Sequence, residues 1–161
     1  MKIYIGLHSA NSIFDKIIRW QTRSKYSHVS ISLEKDVIEA TRFYGVRKFQ
    51  KYKFKKDEYI DMYSTEVTSE QFRKISQFLY AQVGKKYDIT MVLRFLSRES
   101  ESGGSKDKWF CSELIYAAFE HAGISLLNNT KAWEVSPGLL SRSTMLHYEF
   151  TLRSRVAAQT L

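Results

Sequence analysis

The chemistry this chain could do rests on one cysteine and on what surrounds it. Cys111 falls in the run Lys108-Trp-Phe-Cys-Ser-Glu-Leu-Ile-Tyr-Ala-Ala-Phe-Glu-His-Ala-Gly123. From Cys111 onward, Leu114, Ile115, Ala118, Phe119 and Ala122 recur at helical spacing, and Gly123 supplies a stop. Cys111 therefore opens a helix, at the head of its buried stripe. The unpaired N–H groups and the positive dipole end at that position favour thiolate over thiol. A lone cysteine is by default a small buried hydrophobe. A base brought to it would make it a nucleophile.

Four histidines are available: His8, His28, His121 and His147. His121 lies almost three turns further along the cysteine helix and cannot pair with Cys111. His147 opens the last strand without polar company, and His8 could border a cleft but is not assigned a role. His28 stands apart. In Tyr26-Ser-His-Val-Ser-Ile-Ser-Leu33, Val29, Ile31 and Leu33 alternate with His28, Ser30 and Ser32, the pattern of a half-buried strand. Val37-Ile-Glu-Ala-Thr-Arg-Phe43 reads as the returning strand after the turn Glu34-Lys35-Asp36. A tight turn at Glu34-Lys35 sets Leu33 opposite Asp36 and Ser30 opposite Glu39. A four-residue loop keeps that parity and a three-residue loop breaks it. With parity kept, His28 and Glu39 are diagonal neighbours on one face. The carboxylate would fix the imidazole tautomer and stabilise the imidazolium. The competing reading leaves Glu39 as an exposed strand residue. A thiol at a helix N-terminus packed on a sheet carrying His and Glu is the arrangement of a cysteine hydrolase, with the Cys111 N–H placed to bind an oxyanion.

Other elements must position these groups. Residues 2–7 read as a short strand. Ser12 and Asp15 form a capping box for a helix from about Ile13 to Trp20, with Ile13, Ile17 and Trp20 as its apolar face and Phe14 and Ile18 beside it. Further strands are expected around 51–54 and 59–63. Thr68-Ser-Glu-Gln71 caps a helix with Phe72, Ile75 and Leu79 on one face, ending at Gly84. Asp88 can cap another helix through Leu96. The Gly/Ser-rich stretch 97–108 is either a surface linker or a flap bordering the site. Trp20 and Trp109 are most simply core, Glu113 a helix cap, and a last strand falls near 148–152.

The length of 161 residues fits one domain spanning 1–161. Hydrophobic content of 43% and aromatic content of 14% exclude a disordered chain. A single cysteine excludes an internal disulfide. No signal-peptide pattern or membrane-length segment is seen, so the expected location is the cytoplasm as synthesised, with phage encoding or another export route compatible. The net charge of +8 calls for an anionic partner. The basic run from Arg47 to Lys56 reads either as a lysine-protected edge strand or as a surface for an anionic cell-wall polymer or a membrane. Nucleic acid is the less favoured partner. No close His/Cys pair at ligand spacing and no Gly-rich phosphate loop occur, so neither metal nor cofactor is expected.

Taken together, Tyr26-Ser-His-Val-Ser-Ile, Val37-Ile-Glu-Ala, Gly84-Lys-Lys-Tyr-Asp, Trp109-Phe-Cys-Ser-Glu-Leu and Val135-Ser-Pro-Gly-Leu resemble the circularly permuted NlpC-type cysteine hydrolases. These include the YiiX-like proteins and, more distantly, lecithin:retinol acyltransferase-like enzymes. The resemblance covers about residues 1–140, in the permuted order His, Glu, Cys. It implies an α+β, papain-like fold with an antiparallel sheet packed on helices and the catalytic Cys at a helix N-terminus. It matches Cys111, His28 and Glu39 to the triad positions. It makes Tyr87, Ser27 and Tyr26 the candidate substrate-binding residues, although Tyr87 also reads as a plain core aromatic. It implies a peptide or acyl-amide substrate, foremost an amide bond in a peptidoglycan-type peptide. The alternatives are a lipid-directed thiol acyltransferase or deacylase and a non-catalytic module binding an anionic polymer.

Overall fold

Alternating apolar residues build the centre of the sheet. In the computed structural model, which describes residues 1–52, 54, 58–90 and 107–153, strand β1 (Lys2–Ser9) buries Ile3, Ile5 and Leu7. Strand β2 (His28–Leu33) buries Val29, Ile31 and Leu33. The chain turns at Glu34-Lys35, with Glu34 in the left-handed region at φ 50°, and returns as β3 (Asp36–Thr41). Ser30 faces Glu39 and Leu33 faces Asp36 across this pair, the register expected for the tight turn. Strands β4 (Gly45–Phe49), β5 (Tyr59–Glu66) and β8 (His147–Arg153) join them. The result is a six-stranded antiparallel sheet in the order β4-β3-β2-β1-β5-β8. Two short strands, β6 (Lys86–Tyr87) and β7 (Lys108–Trp109), pair in parallel just ahead of the cysteine helix.

Four α-helices, α1 (Ile13–Thr22), α2 (Ser69–Gln82), α3 (Cys111–His121) and the short α4 (Pro137–Leu140), and a 3₁₀ helix at Ala132–Glu134 complete the described structure. Helix α3 packs on α2, β2 and β3. Its Leu114, Ile115, Ala118 and Phe119 are fully buried in the same core as Ile31 and Ile38. Burial of each large side chain contributes about 1.5–3 kcal/mol, so α3 is fixed by its apolar stripe. The Ser112 hydroxyl adds a 2.5 Å hydrogen bond to the Val135 carbonyl. Both expected capping boxes form, at Ser12/Asp15 and Thr68/Gln71.

The structure departs from the sequence expectations at several points. Helix α1 is rotated: Ile18 and Asp15 are buried, whereas Ile13, Ile17 and Trp20 are exposed, Trp20 at 74%. Phe14 and Ile18 form a second apolar stripe one residue away, and periodicity cannot choose between the two. Hydrogen bonds from Arg19 to Ser9 and Asn11 accompany the rotation that turns Phe14 and Ile18 inward. Trp20 is therefore not core. Trp109 is half-buried and donates to Gln82 Oε1 at 3.1 Å. The strand expected at 51–54 is instead β4, ending at Phe49; Tyr52 then folds inward, its hydroxyl at 2.9 Å from Ser30 Oγ. Strand β1 runs two residues further than expected and so includes His8. Asp88 Oδ1 does accept from the Thr90 N–H at 2.9 Å, but the helix to Leu96 and most of the 97–108 stretch lie outside the described residues. Among the described residues, no helix is long and apolar enough to cross a membrane.

Gly45 opens β4 at φ +65°, and a Cβ there would meet the Lys85 carbonyl oxygen at 2.2 Å. At this junction the Val46 N–H donates to Lys85 O and the Gly84 N–H to Val46 O, both at 2.8 Å. Gly45→Ala is expected to destabilise the fold by at least about 2 kcal/mol through strain and displaced backbone. Chemical denaturation measures the loss.

Candidate active site

The site is built on the β2–β3–β4 register. Glu39 on β3 lies opposite Ser30 on one side and Arg47 on the other. That places His28, Glu39 and Arg47 on one face. His28 Nε2 lies 2.8 Å from Glu39 Oε2. Arg47 donates from Nε at 2.8 Å and from Nη2 at 2.6 Å, both to Glu39 Oε1. Glu39 is 4% exposed, and both of its oxygens are occupied. The exposed-strand reading of Glu39 is thus set aside: this carboxylate is buried and bridged. Cys111, fully buried at the first position of α3, lies close enough to His28 for its side chain to act on the imidazole charge.

These contacts set the charges. Burial works against a charged His28, but the hydrogen bonds and charges of Cys111 and Glu39 outweigh it and raise its pKa to about 10. Burial likewise opposes the Glu39 charge, and His28 and Arg47 outweigh it, holding its pKa at about 2. The cluster therefore favours the imidazolium form of His28. The Cys111 N–H belongs to the first turn of α3, whose N–H groups have no partner within the helix. Glu113 accepts from the Phe110 N–H at 3.3 Å, the capping role expected of it.

Two residues that sequence reasoning left out belong to this site. Arg47 belongs in sequence to the basic run, but the register turns it onto Glu39, while Tyr44 and Phe49 stack on its guanidinium at 4.5 and 5.3 Å. His8 is the cross-strand partner of His28, with ring centroids 4.9 Å apart in an edge-on packing. Its Nδ1 lies 3.2 Å from Glu58 and its Nε2 2.9 Å from Ser30 Oγ. Burial lowers the His8 pKa, ahead of the opposing hydrogen bond to Glu58, so a neutral ring lies beside a charged one. A hairpin reading of β1 with β2, extended to residue 9, would have revealed the pair.

The spacing argument against a metal is corrected by the same pairing. Ligand atoms of His8, His28 and Glu39 lie within 4.8 Å of one another although two of the residues are twenty apart in sequence. The donor set fits a cation poorly: the Arg47 guanidinium already neutralises Glu39, and His28 Nε2 is committed to it.

A cleft of about 490 Å³ opens beside His28 and Glu39. Ser27 and Tyr87 line it. Tyr87 stacks at 5.7 Å on Phe110; burial first, and then nearby Cys111, push its phenol well above the usual range, so its hydroxyl stays protonated. Tyr26 does not line this cleft. It is a 2% exposed core residue whose hydroxyl donates to Asp61 Oδ2 at 2.7 Å, because a buried phenol needs an acceptor and β5 supplies one.

Residues 4–136 match the model of a family described as permuted papain-like amidase enzyme, YaeF/YiiX, C92 family. The chain belongs to the permuted papain-like amidase family. Among solved structures it is similar to the crystal structure of metalloprotein yiiX from Escherichia coli O157:H7. That match has 16% identity, covers 91% of this chain and 94% of the other, and has a TM-score of 0.56. At that identity the likeness shows the fold. No curated protein sequence matches the chain. Amidase-type enzyme chemistry is thus the family property, and the α+β sheet-and-helix architecture is the permuted papain-like one.

The sign of the pH dependence follows from the two shifts. His28 is raised from 6.5, so its contribution to stability is complete below about pH 6.5 and is lost as pH rises through about 10. Glu39 is lowered from 4.5, so its contribution is complete above about pH 4.5 and is lost as pH falls through about 2. Denaturant titrations between pH 6 and 10.5 should show an alkaline loss of stability that is much smaller in His28→Gln. Glu39→Gln should move the His28 imidazole titration, followed by NMR, below pH 10. It should also cost roughly 3 kcal/mol, since one partner of a buried ion pair is removed.

Proposed function

We propose that the chain is a cysteine amidase in which Cys111 is the nucleophile, His28 the general acid and base, and Glu39 the group that orients and charges His28. The observation that carries this reading is the 2.8 Å His28–Glu39 contact, with Cys111 close enough to act on the same imidazole. The Cys111 thiolate attacks the amide carbonyl, and the Cys111 N–H receives the developing oxyanion. His28 gives its proton to the leaving amine, and a thioester remains. Water then attacks the thioester, His28 takes the proton, and the acid is released with the thiol regenerated. Arg47 keeps Glu39 ionised and fixed, and His8 supports the ring from its edge.

The substrate class we favour is an amide in a peptidoglycan-type peptide. Net charge of +8 and the cationic residues Arg42, Arg47 and Lys51 along the cleft support an anionic cell-wall substrate. One observation favours the acyl-lipid alternative: Ile13, Trp20 and Phe43 are 81%, 74% and 78% exposed, and Phe43 lines the cleft. Exposed apolar groups of this size mark contact surfaces.

Incubation with muropeptides and, separately, with phospholipid vesicles should yield new amine termini from the muropeptides alone. Products from vesicles alone would reject the peptide reading. Cys111→Ala should abolish turnover, and His28→Gln should lower kcat roughly 10²- to 10⁴-fold. A small thiol alkylator should label Cys111 faster than a free thiol, with the advantage lost in His28→Gln; equal labelling would reject the thiolate mechanism.

A further inference from the structure

Polar groups without partners gather along the cleft. Ser27 Oγ, on a residue only 1% exposed, and Thr41 Oγ1 are both shielded from solvent and have no hydrogen-bond partner among the described residues. Both residues line the cleft beside His28. Thr41 lies two positions beyond Glu39 on β3, and so on the same face of the sheet. Elsewhere, only Gln21 and Ser76, on α1 and α2, carry such atoms among the described residues. An unpaired buried hydroxyl destabilises the free protein. Two along one cleft wall are a cost that a bound polar ligand would remove. Nearby hydroxyls are paired: Ser30 contacts His8 Nε2 and the Tyr52 hydroxyl.

Arg42 adds a charge of the same kind. Its guanidinium lies 4.7 Å from the Phe14 ring and 4.5 Å from the Phe43 ring, and all three residues line the cleft. Its charge acts on the Tyr87 phenol, which in turn feels Cys111. Among the described residues Arg42 has no carboxylate partner, in contrast to Arg47. Stacked rings hold the guanidinium plane and leave its N–H edge to donate, a geometry matched to a carboxylate.

We propose that this cleft binds an amide substrate that carries a carboxylate near the scissile bond. Arg42 receives the carboxylate in fork geometry, and the Ser27 and Thr41 hydroxyls bond the polar groups of the substrate backbone. This deepens the amidase reading and rests on it for turnover, but the binding site stands on its own geometry.

The test uses peptide amides in pairs, identical except that one member has a carboxylate and the other its carboxamide, placed on either side of the scissile bond. The 161-residue chain should show a KM roughly ten- to hundredfold lower for the carboxylate member of the better pair, the range of a charge-assisted hydrogen bond. In Arg42→Gln the ratio within each pair should fall close to one, and Arg42→Lys, which keeps charge without the fork, should lie between. Unchanged ratios in Arg42→Gln would overturn the assignment. Ser27→Ala and Thr41→Val should raise KM while leaving Tm equal or higher, because each removes an unpaired group from the free protein. A lower Tm with unchanged KM would assign both hydroxyls to structure instead. Calorimetry of the same pairs on Cys111→Ala separates the two readings. Absence of turnover on every pair in the wild type rejects the amidase reading. Equal affinities within the pairs on Cys111→Ala reject the anion site.

Discussion

The buried carboxylate of Glu39 is the constraint around which the site is arranged. A charge that is 4% exposed is tolerated only with partners on its oxygens. Here each oxygen has one: His28 on Oε2 and Arg47 on Oε1. The three side chains come from three successive strands, and nothing but the strand register brings them together. A slip of one residue in either pairing would turn Glu39 to the other face and leave His28 and Arg47 without it. Register is therefore not only a packing matter here. The tight turn at Glu34-Lys35 and the glycine that opens β4 both hold it in place.

From that carboxylate the charge pattern propagates to the proposed nucleophile. Glu39 and Cys111 hold His28 in the imidazolium form, while burial keeps His8, one strand away, neutral. Two charged imidazoles with ring centroids 4.9 Å apart would repel each other. Charging one ring and keeping the other neutral avoids that conflict. The thiol is delivered by a different device. Helix α3 is fixed by an apolar stripe and by Ser112 on the Val135 carbonyl, so the position of Cys111 depends on core packing rather than on polar contacts of its own.

What the sequence made legible was local. His28 and Glu39 could be paired because a short hairpin has few registers and a period of two decides which face each residue takes. Cys111 could be placed because an apolar stripe and a terminal glycine mark a helix. The same reasoning stopped where two answers fit one pattern. Helix α1 has two apolar stripes one residue apart, and Ile13, Ile17 and Trp20 face outward while Ile18 faces in. Tyr26 stands beside the site residues in the chain, yet its phenol is drawn to Asp61, 35 positions away. His8 and Arg47 were missed for a related reason. Their roles depend on strand pairs whose turns carry no strong signal, and each falls one strand beyond the hairpin that could be derived.

The two arginines at the β3–β4 connection show how position rather than residue type divides the work. Arg47 lies opposite Glu39 in the ladder, so its guanidinium is drawn onto a buried charge and can offer little to a ligand. Arg42 falls in the turn, beyond the last paired residue of β3, where it forms no ion pair among the described residues. Aromatic rings take the place of a counter-ion: Phe14 from α1 and Phe43 from the turn hold the guanidinium by its faces. Stacking of this kind fixes the orientation of an arginine without neutralising it. One cation thus stabilises the proposed catalytic dyad from behind, while the other keeps its charge for whatever enters the cleft. The rotation of α1 that was not legible in the sequence is what brings Phe14 to Arg42. The exposure of Ile13 and Trp20 is the consequence of that same rotation.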